Sequence, residues 1–329
     1  MNSDEQPKTY MQEIFDKLDE FYSHHASSEG FRSFFSKHRD VKKWMIASDY
    51  CLGDKKKPNG TMCISIIPYL TYFPEMKNEV QEKAPKDIKK SRHIRDEFIQ
   101  YLSSGNSFHL CFIPTDFSAL GETKEEVEAI ADQLIQLYES WIVSTPEAAE
   151  KYLETLRKLR YLKQETKNKG FNLNLFHNMY FLTFIVAYFY HYIDKTTRAD
   201  MIGWFSDRDS MINAYKGLAF DLLTMHFHTM SELTGNNSSD ISIIIGVPEL
   251  EGSMWYDEIV RLPDYIAGTF ADWDVSTNVC SKDKFLPIIE EIGTTTESFM
   301  LAKVGLHKGL FEHKIITISK ICDKENPSV

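Results

Sequence analysis

The sequence predicts an α/β fold, a mixed sheet flanked by helices, and three observations carry that expectation. Residues 44–69 hold two apolar runs separated by a lysine-rich segment that ends in Pro58-Asn59-Gly60, a hairpin signal. From residue 201 onward, β-rich runs alternate with helical patterns, an order that implies parallel pairing and a sheet covered on both faces. Between these regions, residues 122–193 show helical periodicity and no strand signal.

Taken in order, Tyr10, Ile14, Leu18 and Phe21, then Phe31, Phe34 and Phe35, recur at helical spacing on either side of Ser27-Ser28-Glu29-Gly30. Residues 1–41 are therefore expected to form a helical N-terminal arm ahead of one domain over 42–329. The first strand falls near Trp44–Cys51 and carries Asp49 among apolar and small neighbours; the second lies near Thr61–Tyr69. A basic helical stretch over 86–103 leads to a third strand, Phe108–Ile113, which Pro114 ends. Residues 122–169 read as helices, with Pro146 suited to a start and Gly170 to a stop. Leu173–Ile193 is apolar on nearly every side, so it is expected to be a buried helix within an insertion at about 120–195. Its most apolar run, Phe181–Ile193, has 13 residues, too few for a membrane span, which needs roughly 20. Then follow a strand at Met201–Ser206, a helix at Ser210–Leu233, a loop at 235–240, a strand at Ile241–Val247 and a helix around Ile259–Trp273. Lys284–Gly293 is expected to be helical, and the β-branched Lys314–Ser319 could be one more strand.

The net charge of −11 opposes indiscriminate binding to polyanions, so any nucleic-acid contact must use local basic patches. Candidates are Lys55, Lys56 and Lys57 in the hairpin turn, the segment Lys86–Arg95, and Arg157–Lys169; a solvated surface is the plainer account of each. Cys51, Cys63, Cys111, Cys280 and Cys322 stand singly, without a C-x-x-C pair, and are expected to be reduced thiols. The N-terminus carries acids where a secretion signal would carry basic residues, which points to the cytoplasm. No phosphate-binding P-loop, G-x-S-x-G, G-x-G-x-x-G or H-E-x-x-H motif is present, which disfavours the chemistries those motifs serve.

Aspartates recur at the ends of expected core elements. Asp49 sits inside an apolar strand, where a carboxylate must pair, bind a metal or take up a proton. Asp207 and Asp209 directly follow the strand at 201–206, and Asp264 is expected to open a helix after Pro263. Capping would explain Asp207 or Asp209, and a favourable helix dipole would explain Asp264. Carboxylates from separate elements could instead hold hard divalent cations such as Mg²⁺ or Mn²⁺.

The segments Ala47-Ser48-Asp49-Tyr50, Trp204-Phe205-Ser206-Asp207-Arg208-Asp209 and Leu262-Pro263-Asp264-Tyr265-Ile266-Ala267-Gly268 resemble motifs of the ribonuclease H-like superfamily. The likeness is most specific to the prokaryotic domain-of-unknown-function family 3800, and the last segment is its most specific part. The resemblance implies a ribonuclease H-like mixed sheet and a metal-dependent nuclease that hydrolyses phosphodiester bonds of DNA or RNA. In that site Asp49, Asp207 and Asp264 would be catalytic and would ligate two Mg²⁺ or Mn²⁺ ions, with Asp209 as a further or alternative ligand. Lys55, Lys56, Lys57 and Arg208 are the expected contacts to the substrate's phosphates. Where the family has Asp-Glu-Ser-Gly at the first motif, this chain has Asp49-Tyr50-Cys51-Leu52. That departure, together with the acidic balance, opens a second expectation: a catalytically inactive binding or regulatory subunit with protein partners, or a homo-oligomer.

Overall fold

The computed structural model describes residues 10–236, 241–248, 252–308 and 310–319. Its centre is a seven-stranded mixed sheet. The strands are β1 (Lys43–Cys51), β2 (Thr61–Pro68), β3 (Phe108–Pro114), β4 (Met201–Ser206), β5 (Ser242–Gly246), β6 (Phe299–His307) and β7 (Leu310–Ile316), in the order β5-β4-β1-β2-β3-β6-β7. β1, β2 and β3 form an antiparallel meander, β4 adds parallel to β1, and β5 adds parallel to β4. Beyond β3, β6 runs parallel to it and β7 returns antiparallel. The α/β class with flanking helices is thus as the sequence predicts.

Side chains alternate across the sheet, as the two-residue period of a strand requires. Trp44, Ile46 and Tyr50 enter a core shared with α1 (Tyr10–His24), α2 (Glu29–Lys37), α5 (Lys124–Ser144), α6 (Ala149–Glu165), α7 (Leu173–Thr197) and α8 (Ser210–Leu233). Met45 and Ala47 enter the opposite core, with α3 (Phe73–Lys83), α4 (Asp96–Ser103), α9 (Asp257–Asp272) and α10 (Leu286–Glu291). The N-terminal helices belong to the first core: Phe31 and Phe35 pack on Tyr192, and Phe35 stacks on Trp44 with ring centroids 5.2 Å apart. α7 is buried along most of its length, as its all-round apolar sequence requires. Among the described residues no helix is long and apolar enough to cross a membrane.

Six elements differ from expectation. The basic stretch 86–103 is not one helix: Ile88–Lys90 is a single 3₁₀ turn and α4 starts only at Asp96, while α3 precedes them unannounced. α9 starts at Asp257, so Pro263 lies inside the helix and Asp264 is an interior residue. α8 is broken at Ala214–Gly217, where Tyr215, Lys216 and Gly217 all take left-handed φ values. β6 was not expected, and the last strand runs over Leu310–Ile316 rather than 314–319. Part of the expected loop at 235–240 lies outside the described residues, as does Cys322; Cys51, Cys63, Cys111 and Cys280 are free thiols.

Candidate metal centre

Asp49 is the seventh residue of β1 and only 7% exposed. In β1 and β4, paired parallel, Ser48 lies opposite Ser206, and the Asp207 N–H donates to the Ser48 carbonyl at 2.9 Å. One further step along that register sets Asp207 beside Asp49. Both residues share strand parity with Met45, Ala47 and Phe205, so both belong to the face covered by α9. The ends of two adjacent parallel strands thus carry an acid each, at the carboxyl edge where open α/β sheets bind ligands.

α9 contributes the third acid. The helix is fastened to the hairpin: Thr61 Oγ1 donates to the Ala267 carbonyl at 2.9 Å, and Asn59 Nδ2 donates to those of Phe270 and Trp273 at 3.0 and 2.7 Å. Gly268 lets the turn at Ile88 pack closely, since a Cβ there would stand 3.0 Å from Ile88 Cγ2. The Ile88 N–H in turn donates to Asp264 Oδ2 at 2.9 Å. The glycine of the segment Leu262–Gly268 therefore serves the acid four residues earlier through this third element, which residue order does not reveal.

The structure brings Asp49, Asp207 and Asp264 together. Asp49 lies within hydrogen-bonding reach of both other carboxyls. Burial holds its carboxyl well above the usual carboxylate range, and the like charges of Asp264 and Asp207 raise it further. Burial also pushes Asp264 up to about 6, against the opposing hydrogen bond from Ile88, with Asp87 and Asp207 adding repulsion. A proton on Asp49, shared towards its neighbours, is the physical resolution of three acids gathered around one buried carboxyl.

The donor set is all carboxylate oxygen, with Asp49 buried and Asp207 and Asp264 half-buried at a cleft, which suits a hard divalent cation. Among the described residues, however, no group of three or more His, Cys, Asp or Glu side chains is assembled so that it could hold an ion as it stands. Repulsion between uncompensated carboxylates opposes such an assembly. Asp49, Asp207 and Asp264 fit the chemistry of the ion, and side-chain adjustment would have to complete its geometry.

The other expected site residues fall elsewhere. Asp209 caps α8, its Oδ1 accepting from the Met211 N–H at 2.8 Å, and it lines a separate cleft of about 640 Å³ with Asn174, His177 and Asn178. Lys55 and Lys56 are exposed in the hairpin turn, and Lys57 reaches the Gly268 carbonyl at 3.5 Å. Arg208 donates to the Gly252 carbonyl at 2.5 Å and borders a cleft of about 530 Å³ that also contains Asp207 and Asp264. The cleft also contains Lys86, Lys89 and Lys90, from the basic segment that the sequence offers as a nucleic-acid patch, and Arg261, which sequence reasoning missed. The basic run 86–95 was visible, but its fold against Asp264 was not.

On the opposite face, the buried hydroxyls of β1 and β4 are neutral and paired. Ser48 Oγ and the Tyr50 hydroxyl share a hydrogen bond of 2.6 Å, the Tyr50 hydroxyl and Ser206 Oγ share one of 3.0 Å, and Trp204 Nε1 donates to Ser48 Oγ at 2.9 Å. Comparisons of the chain with protein-family models, with curated proteins and with solved structures find no match.

Proposed function

We propose that this chain is a divalent-metal-dependent nuclease that hydrolyses phosphodiester bonds of DNA or RNA in the cytoplasm. The observation that carries the reading is the convergence of Asp49, Asp207 and Asp264, from β1, the end of β4 and α9, into one cluster of like charge around the buried Asp49. A meander β1-β2-β3 extended through β1 by the parallel strands β4 and β5 supports the ribonuclease H-like resemblance.

Asp49, Asp207 and Asp264 would hold Mg²⁺ or Mn²⁺. When bound, such an ion supplies Lewis-acid polarisation of a phosphoryl oxygen and lowers the pKa of water at neutral pH. The chain's own groups do the rest. Ile88 N–H orients Asp264, and the β1–β4 ladder fixes Asp207 beside Asp49. Arg208, tethered to Gly252, presents a guanidinium to a phosphate entering the cleft. Burial beneath α9 keeps water from screening the charge of Asp49.

The second reading, a silent relative that binds protein partners, draws on the tyrosine after Asp49 and on the absence, among the described residues, of an assembled ion-holding group. Tyr50 faces the other side of the sheet, so the departure at that position takes no carboxylate from the cluster. Calorimetric titration with Mn²⁺, beside cleavage assays on DNA and RNA, tests the proposal. Stoichiometric Mn²⁺ binding that Asp49→Ala removes is the expected result; a wild type that ignores Mn²⁺ and cuts nothing overturns it in favour of the silent relative.

A further inference from the structure

The cleft beside Asp207 and Asp264 is lined by five lysine or arginine side chains against four aspartates, in a protein whose net charge is −11. Local cationic excess on an acidic chain is notable because long-range attraction of a polyanion is absent, and contact must be made by particular side chains. Most of the cations are already engaged. Lys90 pairs with Asp87 at 2.9 Å, Arg208 is held by Gly252, and Arg261 donates to the Ala84 carbonyl at 2.7 Å and also reaches Gln81. Lys86 and Lys89 are exposed, and among the described residues neither forms an ion pair.

Both lysines sit on a turn that is fastened from three sides. Tyr265 OH of α9 donates to the Lys86 carbonyl at 2.7 Å, and the Ile88 N–H is bonded to Asp264. From the third side Lys284 Nζ donates to the carbonyls of Ile88 and Ser91 at 2.6 and 2.8 Å. The backbone carrying Lys86 and Lys89 is therefore held in fixed relation to the acid cluster, while their ammonium groups stay in solvent. Neither is needed for the fold, and both are placed to act on something that enters the cleft.

We propose that this cleft is a groove for the sugar–phosphate backbone of a polynucleotide, in which Lys86 and Lys89 hold phosphates adjoining the one presented to the aspartates. The inference rests on the nuclease reading for the identity of the ligand, and it assigns the substrate contact to this turn instead of the hairpin lysines. Lys55 and Lys56 lie in the hairpin turn, outside this cleft.

The test uses the full chain with short fluorescent DNA and RNA strands in Ca²⁺, a hard cation that occupies oxygen sites. Anisotropy is measured for wild type, Lys86→Glu/Lys89→Glu, Lys86→Arg/Lys89→Arg and the charge-matched control Lys55→Glu/Lys56→Glu. The glutamate pair in the cleft is expected to weaken binding at least about tenfold and to lower the slope of log affinity against log salt by about 2, one lost phosphate contact per lysine. The arginine pair and the control stay close to wild type. Binding of the cleft variant unchanged from wild type, equal loss in the hairpin control, or a wild type that binds neither strand each overturns the inference. Cleavage in Mn²⁺ separates the two proposals: a wild type that cuts while Lys86→Glu/Lys89→Glu binds normally keeps the nuclease and removes the groove. Selective loss of binding in that variant, with a wild type that cuts nothing, keeps the groove and removes the nuclease.

Discussion

Asp49 and Tyr50 are neighbours on one strand, and their surroundings could hardly differ more. Tyr50 and Ser48 turn to the face covered by α7 and α8, where every hydroxyl of the group finds a neutral partner. Asp49 turns to the face under α9, where the nearby charges are two more carboxylates. β4 repeats the division, with Ser206 joined to the neutral network and Asp207 to the acids. Satisfied buried polarity costs little and serves to define a fold, whereas buried like charge is costly and persists where a ligand or proton compensates it. The difference between the two sides of β1 and β4 is the physical ground for placing function beside Asp49 and Asp207.

The largest effect that could break this contrast is expected for Asp49→Asn. The amide keeps the shape, removes one charge and can donate to its acidic neighbours, so the variant without metal should melt no lower than wild type. Mn²⁺ binding and cleavage should be lost. Retained Mn²⁺-dependent cleavage, on a substrate the wild type cuts, would sink the assignment of Asp49.

A second effect concerns pH. Asp264 titrates near 6 in the folded chain against an ordinary value of 3.8, and Asp49 is raised as well. A raised carboxyl contributes most below its unfolded pKa, where both states are protonated, and that advantage is lost as pH climbs through the folded value. The metal-free protein should therefore lose roughly 2–3 kcal/mol between about pH 4 and pH 6–7 from Asp264 alone. Thermal melts across that range check the sign, and saturating Mn²⁺ should flatten the dependence by taking the proton's place. Melting temperatures that instead rise with pH in the metal-free protein, and equally in Asp49→Asn, would show that the acids are already compensated.

The acids were legible in the sequence on two grounds. Asp49 interrupts an apolar strand and so raised the question of a partner, whereas capping and the helix dipole would explain Asp207 and Asp264, which stood out by their resemblance to motifs at the ends of core elements. The hairpin was legible from Pro58-Asn59-Gly60, and the alternation after residue 201 revealed the parallel strands. What stayed hidden depends on contacts between distant residues. Pro263 looks like a helix start, yet the helix begins at Asp257 and runs through it, and nothing local distinguishes the cases. β6 has no turn signal of the Pro-Asn-Gly kind before it, and it is specified by parallel pairing with β3, far away in sequence. The turn at Lys86–Ser91 meets Asp264 across 176 positions, which is why a basic run could be seen while its role in the cleft could not. The neutral network was equally invisible, since serine and tyrosine in a strand break no pattern.

That network supplies the smallest effect and the sharpest control. Tyr50→Phe keeps the ring in the core and deletes only the hydroxyl, leaving Ser48 and Ser206 to lose one partner each. Ser48 keeps the bond from Trp204, and Ser206 keeps its own donation to the Asp207 carbonyl at 2.9 Å, so the loss should be about 1–2 kcal/mol and not more. Denaturant unfolding measures it. Because the Tyr50 side chain points away from the acids, Mn²⁺ affinity should change less than about twofold, below 0.5 kcal/mol on the scale where tenfold is about 1.4. The Ser206–Asp207 link is a path by which a disturbance could cross the sheet, since the carbonyl that accepts from Ser206 belongs to an acid of the cluster. A Tyr50→Phe protein that folds well but binds Mn²⁺ many times more weakly would show that the two faces act as one unit, and the separation drawn from Asp49 and Tyr50 would fail.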